Sequence, residues 1–268
     1  MDDLTMNPAR VSAAQVRRSA LVILCCHAVA AWFLLTPSGL VWGASETEAR
    51  RTAQLLALLL DSGRVVIDRN QSLIDDPHRG AKGFTAEVFE QQLKTEFKVR
   101  SGVDLNDVST AHLPHGALGL LLALVQASKD VVNDAQFVIN QRGIGYKNFI
   151  PATFGSQAAR RFSANSPVRL KQTALSPRNP KNEPDPYEEA VLRQFAAAPG
   201  SREPSSELAD GGRTLRLLVP IYYETECMGC HGEPRGVEDI SGYPREGRQV
   251  GELAGAISVT IPLDAEDR

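Results

Sequence analysis

The chain is short of the residues that mark several common classes. It has no basic excess: 29 Lys and Arg stand against 32 Asp and Glu in 268 residues, a net charge of −3. A phosphate backbone finds no electrostatic footprint there, so nucleic-acid binding is not expected. Cysteine is scarce, and four thiols cannot scaffold a disulfide-held domain of this length. Methionine is scarcer, with three residues, Met1, Met6 and Met228. What remains is 43% hydrophobic and 23% charged, the composition of a folded chain with one sizeable core.

The N-terminus reads as an export signal. Arg10, Arg17 and Arg18 precede an uncharged run from Ser19 to Leu35, and Gly43, Ala44 and Ser45 offer small residues for cleavage. Trp42 suits a cut after Ala44 poorly, and a cut after Ser45 is cleaner. The run is at the short edge for a spanning helix, so residues 1–45 are either a signal peptide or a retained signal-anchor. Both readings place the rest of the chain in the periplasm or another extracytoplasmic space, the second with membrane association through residues 19–35. Cys25 and Cys26 lie inside the run, after residues too large for a lipidation site.

Past the signal, Ala49, Ala53, Leu56, Leu59 and Leu60 recur at helical spacing, which predicts a helix over 46–67. Phe84, Val88, Phe89, Leu93 and Phe97 predict a second over 84–99. The same plan returns 65 residues later without a gap. Lys82, Phe84, Phe89 and Phe97 match Lys147, Phe149, Phe154 and Phe162, and Gln71 matches Gln136. Matched lysines and glutamines do not follow from amphipathicity alone, so residues 46–105 are expected to be a helical unit partly duplicated in the residues after 117. From residue 165 the texture changes. Strands are expected at 168–174, 214–223 and 254–263, with a proline-rich loop over 177–186. A helix is expected from Asp185, with Pro186 at its first position, and a mobile connection over 197–212. Helices first and strands later indicate α+β.

Between the last two strands stands Cys227-Met228-Gly229-Cys230-His231. This is C-x-x-C-H, the pattern of c-type haem attachment. Each thiol adds to one vinyl group, and the next residue sets an imidazole over the iron. Two other readings exist. A zinc site wants a second ligand pair, which the exported part lacks. A redox disulfide would open a helix in a βαβ context, whereas Gly232, Pro234 and Gly236 follow here.

Around this motif the chain resembles the PAS-like family of exported c-type haem proteins. The resemblance is carried by Arg178-Asn179-Pro180-Lys181-Asn182-Glu183-Pro184 with Tyr187-Glu188, similar to the family's R-N-P-x-N-x-P-x-x-x-E block. It continues through Val219-Pro220-Ile221, the Cys227–Gly232 block, Tyr243-Pro244, Gly251 and Gly255-Ala256-Ile257-Ser258-Val259. It spans residues 117–263 and leaves 46–105 outside, as an extra helical layer or a dimerisation element. It implies an antiparallel sheet flanked by helices, with one covalent haem c between them.

Cys227 and Cys230 are then the attachment thiols and His231 the proximal iron ligand. Arg178 is a candidate for a haem propionate, or for a salt bridge to Glu188. Tyr222 and Tyr223 should point to opposite sides of their strand. The expected function is a redox or small-ligand sensor acting through a separate partner protein, since no output module follows the last strand. The alternative is an electron-transfer cytochrome. No distal His–Arg pair stands out by spacing, so an enzyme is not expected. Methionine cannot supply the sixth ligand if the signal is removed, because Met1 and Met6 precede it and Met228 is tethered on the proximal side. The family's alternative cysteine would fall at Ile150 or Pro151, neither of which coordinates. His112, His115 and His78 remain, the first two best placed by sequence, beside lysine, tyrosine or an open position.

Overall fold

The computed structural model describes residues 45–263, which fall within one compact unit. Residues 1–44, which hold Cys25, Cys26 and nearly all of the segment read as an export signal, lie outside the described residues. Among those described, no helix is long and apolar enough to cross a membrane.

Six helices come first. They are α1 (Glu46–Arg69), α2 (Gln71–Ile74), α3 (Ala86–Ser101), α4 (Ala117–Asp134), α5 (Gln136–Ile139) and α6 (Pro151–Ala164). Ser45 starts α1 through a reciprocal capping box with Glu48, and Thr85 caps α3. The helix plan repeats with the sequence offset. α1 ends at Arg69 and α4 at Asp134, α2 opens at Gln71 and α5 at Gln136, and α3 opens at Ala86 and α6 at Pro151.

The hydrogen bonds between the copies are reciprocal as well. The Lys82 amide donates to Asn140 Oδ1 at 2.9 Å, and the Lys147 amide to Asp75 Oδ1 at 3.1 Å. The loops before α3 and α6 therefore pack on one another about a local two-fold. Lys82 and Lys147 are both buried, and each ammonium donates to carbonyls of its own loop: Asp76 and Arg79 for Lys82, Ile144 for Lys147. Buried carbonyls require donors, which accounts for a matched lysine in each copy.

The second half is a four-stranded antiparallel sheet of β1 (Arg169–Thr173), β2 (Ser205–Ala209), β3 (Thr214–Tyr222) and β4 (Leu253–Pro262), in the order β1-β4-β3-β2. The fold is α+β, an antiparallel sheet flanked by helices. β2 corrects the expectation of a mobile connection at 197–212. Ser-Ser-Glu-Leu-Ala carries little hydrophobic alternation, and it is strand because it pairs with β3 from Ser205↔Leu218 to Ala209↔Thr214. The turn between them places Asp210, Gly211 and Gly212 at positive φ.

Alternate strand residues face two different layers. Leu215, Leu217, Ile257, Val259 and Ile261 join the core formed by the helices. Leu218 and Ala256, on the other face, pack with Val191, Leu192 and Phe195 of α7 (Pro186–Ala197). Helix α1 touches α3, α4 and α6 and also packs on β3 and β4. Helix α1 is thus the inner layer of the fold, and residues 46–105 share one core with the sheet. A Cβ on Gly63 of α1 would come within 2.7 Å of the Phe154 ring, so glycine permits the close approach of α1 to α6.

Candidate haem-attachment site

The connection from β3 to β4 carries the motif. A 3₁₀ turn over Thr225–Cys227 runs into α8 (Met228–His231), a single turn. Cys227 and Cys230 are three apart along this helical stretch, which sets both sulfurs toward one side. Both are free and partly exposed. Burial pushes both thiols above their ordinary range, with the Asp239 charge adding to the effect at Cys230. A redox-active C-x-x-C needs the reverse, a thiol whose pKa is depressed.

His231 is fixed from two sides. Its Nδ1 lies 2.8 Å from Glu246 Oε2. A carboxylate can only accept, so Nδ1 carries the proton and Nε2 keeps its lone pair free for a metal. Tyr223 packs beside the imidazole, with ring centroids 5.0 Å apart. Tyr222 turns away and donates its hydroxyl to the Ser201 carbonyl. The His231 carbonyl accepts from the Arg248 amide at 2.7 Å.

Arg178 lies at the centre of the polar network. Its Nε and Nη2 reach Glu246 at 2.6 and 3.0 Å, and its Nη1 reaches Asp239 at 2.6 Å. Nη2 also donates to the Cys230 carbonyl at 2.8 Å. Burial alone would pull the Arg178 pKa down, but the two carboxylates outweigh it and hold the guanidinium charged. The Asp239 carboxylate is fully buried, and the bonds from Ser241 and Arg178 keep it well below the usual carboxylate range despite that burial. Arg178 therefore makes a salt bridge, but its partners are Glu246 and Asp239. Glu188 pairs with Lys171 at 2.8 Å instead and closes the capping box of α7.

Asp239 and Glu246 escaped sequence reasoning. Neither belongs to a pattern that the sequence ties to the motif. The legible signal was the Asp239-Ile240-Ser241-Gly242 turn, in which Asp239 accepts from the Ser241 amide and hydroxyl.

The structure separates the histidines. The His115 amide lies 3.4 Å from Glu48, in the first turn of α1. Cys227 lies near the other end of that helix, where the charges of Arg64 and Asp68 act on its thiol. Sixteen residues of helix separate Glu48 from Arg64, about 24 Å. His115, and His112 three residues before it, are therefore at the wrong end of the fold to face His231. This corrects the expectation drawn from their position before α4. His78 is exposed, on a loop joined to the second copy by the Gly143 amide, which donates to the Pro77 carbonyl at 2.8 Å. Tyr146, in the matching loop, feels the charges of Cys230 and Asp239.

A family model described as Tll0287-like matches residues 44–262. Among solved structures, the chain is similar to the cyanobacterial heme-protein Tll0287, with 20% identity over 54% of this chain and 92% of that one, and a TM-score of 0.39. No curated protein matches. The family match takes in α1 to α3, which the resemblance read from motifs left out. With nearly all of the described residues inside it, the chain belongs to the Tll0287-like family.

Proposed function

We infer that the protein is a haem-binding protein of the c type, with one haem joined to Cys227 and Cys230 and the iron held by His231. The observation that carries this is the oriented imidazole: Glu246 binds Nδ1–H and leaves Nε2 free, one residue after a pair of unbonded thiols. Family membership supports it, since Tll0287, whose name the family bears, is a heme-protein. Zinc fits poorly, because no cluster of three or more His, Cys, Asp or Glu suited to a metal occurs among the described residues.

The haem, when bound, supplies one-electron chemistry and a site for small ligands. Cys227 and Cys230 would attach it, Glu246 would orient the His231 ring, and Arg178 ties Glu246, Asp239 and the Cys230 carbonyl together. Cysteine and methionine outside the motif are absent from the described residues and His112 and His115 are remote, which leaves exposed His78 as the histidine candidate for the sixth position beside an open or displaceable site. We therefore favour an exported sensor of redox state or of a small ligand, working through a partner protein and not as an enzyme, over an electron carrier. Spectra of the periplasmic fraction, oxidised, reduced and with carbon monoxide, test this. A carbon monoxide-responsive spectrum is expected. A low-spin spectrum indifferent to carbon monoxide overturns the sensor reading in favour of the carrier.

A further inference from the structure

The imidazole of His231 is bonded to a carboxylate, and that carboxylate is itself held by a guanidinium. Glu246 Oε2 takes both the His231 Nδ1–H and Arg178 Nη2, and Oε1 takes Arg178 Nε at 2.6 Å. Arg178 is shared in turn with Asp239. A backbone carbonyl in the place of Glu246 would orient the ring equally well. A carboxylate does more, because it draws the Nδ1 proton toward itself and makes Nε2 a stronger donor to a metal. The guanidinium moderates that pull by compensating the negative charge. Arg178 meets Glu246 with two N–H groups, one on each oxygen at 2.6 and 3.0 Å, which is the paired geometry of a guanidinium with an ionised carboxylate.

We propose that Glu246 is a positioning residue that sets the redox balance of the iron, favouring the ferric state through the His231 imidazole, with Arg178 limiting the effect and Asp239, which shares that guanidinium, relieving part of the limit. This rests on the haem reading above. The couple is ferric iron plus one electron giving ferrous iron. The electron comes from a one-electron donor, and the Nδ1 proton stays on the imidazole in both states. The lever is ligand basicity, one of those by which a protein tunes a haem.

The test uses the full chain, matured with haem, as wild type, Glu246→Gln and Asp239→Asn. Glutamine keeps the shape and can still accept from Nδ1, but it is neutral. The preference for ferrous iron should rise about tenfold in Glu246→Gln, a midpoint shift of about 59 mV for one electron. The iron–imidazole stretch of the ferrous form, read after photolysis of its carbon monoxide complex, should fall in that variant. Asp239→Asn removes an equal charge that does not touch the ring. It should shift the midpoint less and leave the stretch in place. Equal midpoint shifts in the two variants with an unmoved stretch would reduce Glu246 to a background charge and overturn the proposal, as would no shift in Glu246→Gln. Should a variant fail to fold, the wild-type stretch decides. It should lie above that of imidazoles bonded to a neutral carbonyl, and a value at the carbonyl-bonded level overturns the proposal. Covalent haem is read first on denaturing gels. Its absence from wild type overturns the cofactor reading and this proposal together, whereas haem with no shift overturns the tuning alone.

Discussion

At the scale of single residues, position along the chain and position in space diverge most for the histidines. His112 and His115 precede a helix of the haem-family resemblance, yet His115 sits by Glu48, at the far end of α1 from Cys227. The double variant His112→Ala/His115→Ala is expected to leave the absorption spectrum and carbon monoxide binding unchanged, and a change in the Soret band on either substitution would contradict that placement. Asp61 carries a different prediction. Burial would raise its pKa, but the Arg64 and Arg100 guanidinium groups, each 2.7 Å away, lower it overall. A lowered folded pKa means stability that is full above the ordinary carboxylate range and lost as pH falls through the folded value. Asp61→Asn should cost about 1–2 kcal/mol at neutral pH, discounted for partial exposure. That cost should shrink as pH drops below about 4, the ordinary Asp value. Denaturant melts at pH 7 and pH 3 check both the size and the sign.

At the scale of elements, the sequence was most legible where a periodic pattern met a cap. Asp185 and Pro186 opened α7 as their pattern indicated, whereas the Ser45–Glu48 box that opens α1 was illegible, because Ser45 reads as a cleavage-site residue. The 65-residue offset was legible because lysine and glutamine recur in it, and the paired loops give the physical reason for the lysines. β2 was illegible because its strand character comes from pairing with β3 and not from its own residues. Gly63 tests the helix layer. Gly63→Ala gains about 1 kcal/mol of helix propensity but pushes a methyl into Phe154, which costs about 1–3 kcal/mol. A net loss on the order of 1 kcal/mol is expected, a fall in Tm of about 2–4 °C. A rise in Tm would mean that α6 yields freely at that contact.

At the scale of the whole molecule, the motif was fully legible and its support was not. Five contiguous residues spell the C-x-x-C-H pattern on which the proposal rests, whereas Glu246 and Asp239 come from a loop whose path is set by the fold. The role of residues 46–105 was also hidden, since an amphipathic helix does not reveal which surface covers it. Here α1 lies on β3 and β4. A chain beginning at residue 106 would uncover Leu217, Ile257 and Val259, each worth about 1.5–3 kcal/mol of burial. It is expected to show no cooperative unfolding transition, and a sharp two-state melt from that fragment would contradict a single shared core. The account as a whole stands on covalent haem at one motif. Its most direct test is the pyridine haemochrome spectrum of the protein after acid-acetone extraction, matured outside the cytoplasm, as wild type and as Cys227→Ser/Cys230→Ser. The account predicts one haem per chain that resists extraction, with the band position of a porphyrin whose two vinyl groups are both saturated, and loss of that haem in the double variant. Haem that extracts from wild type, or that remains joined to the double variant, would contradict it.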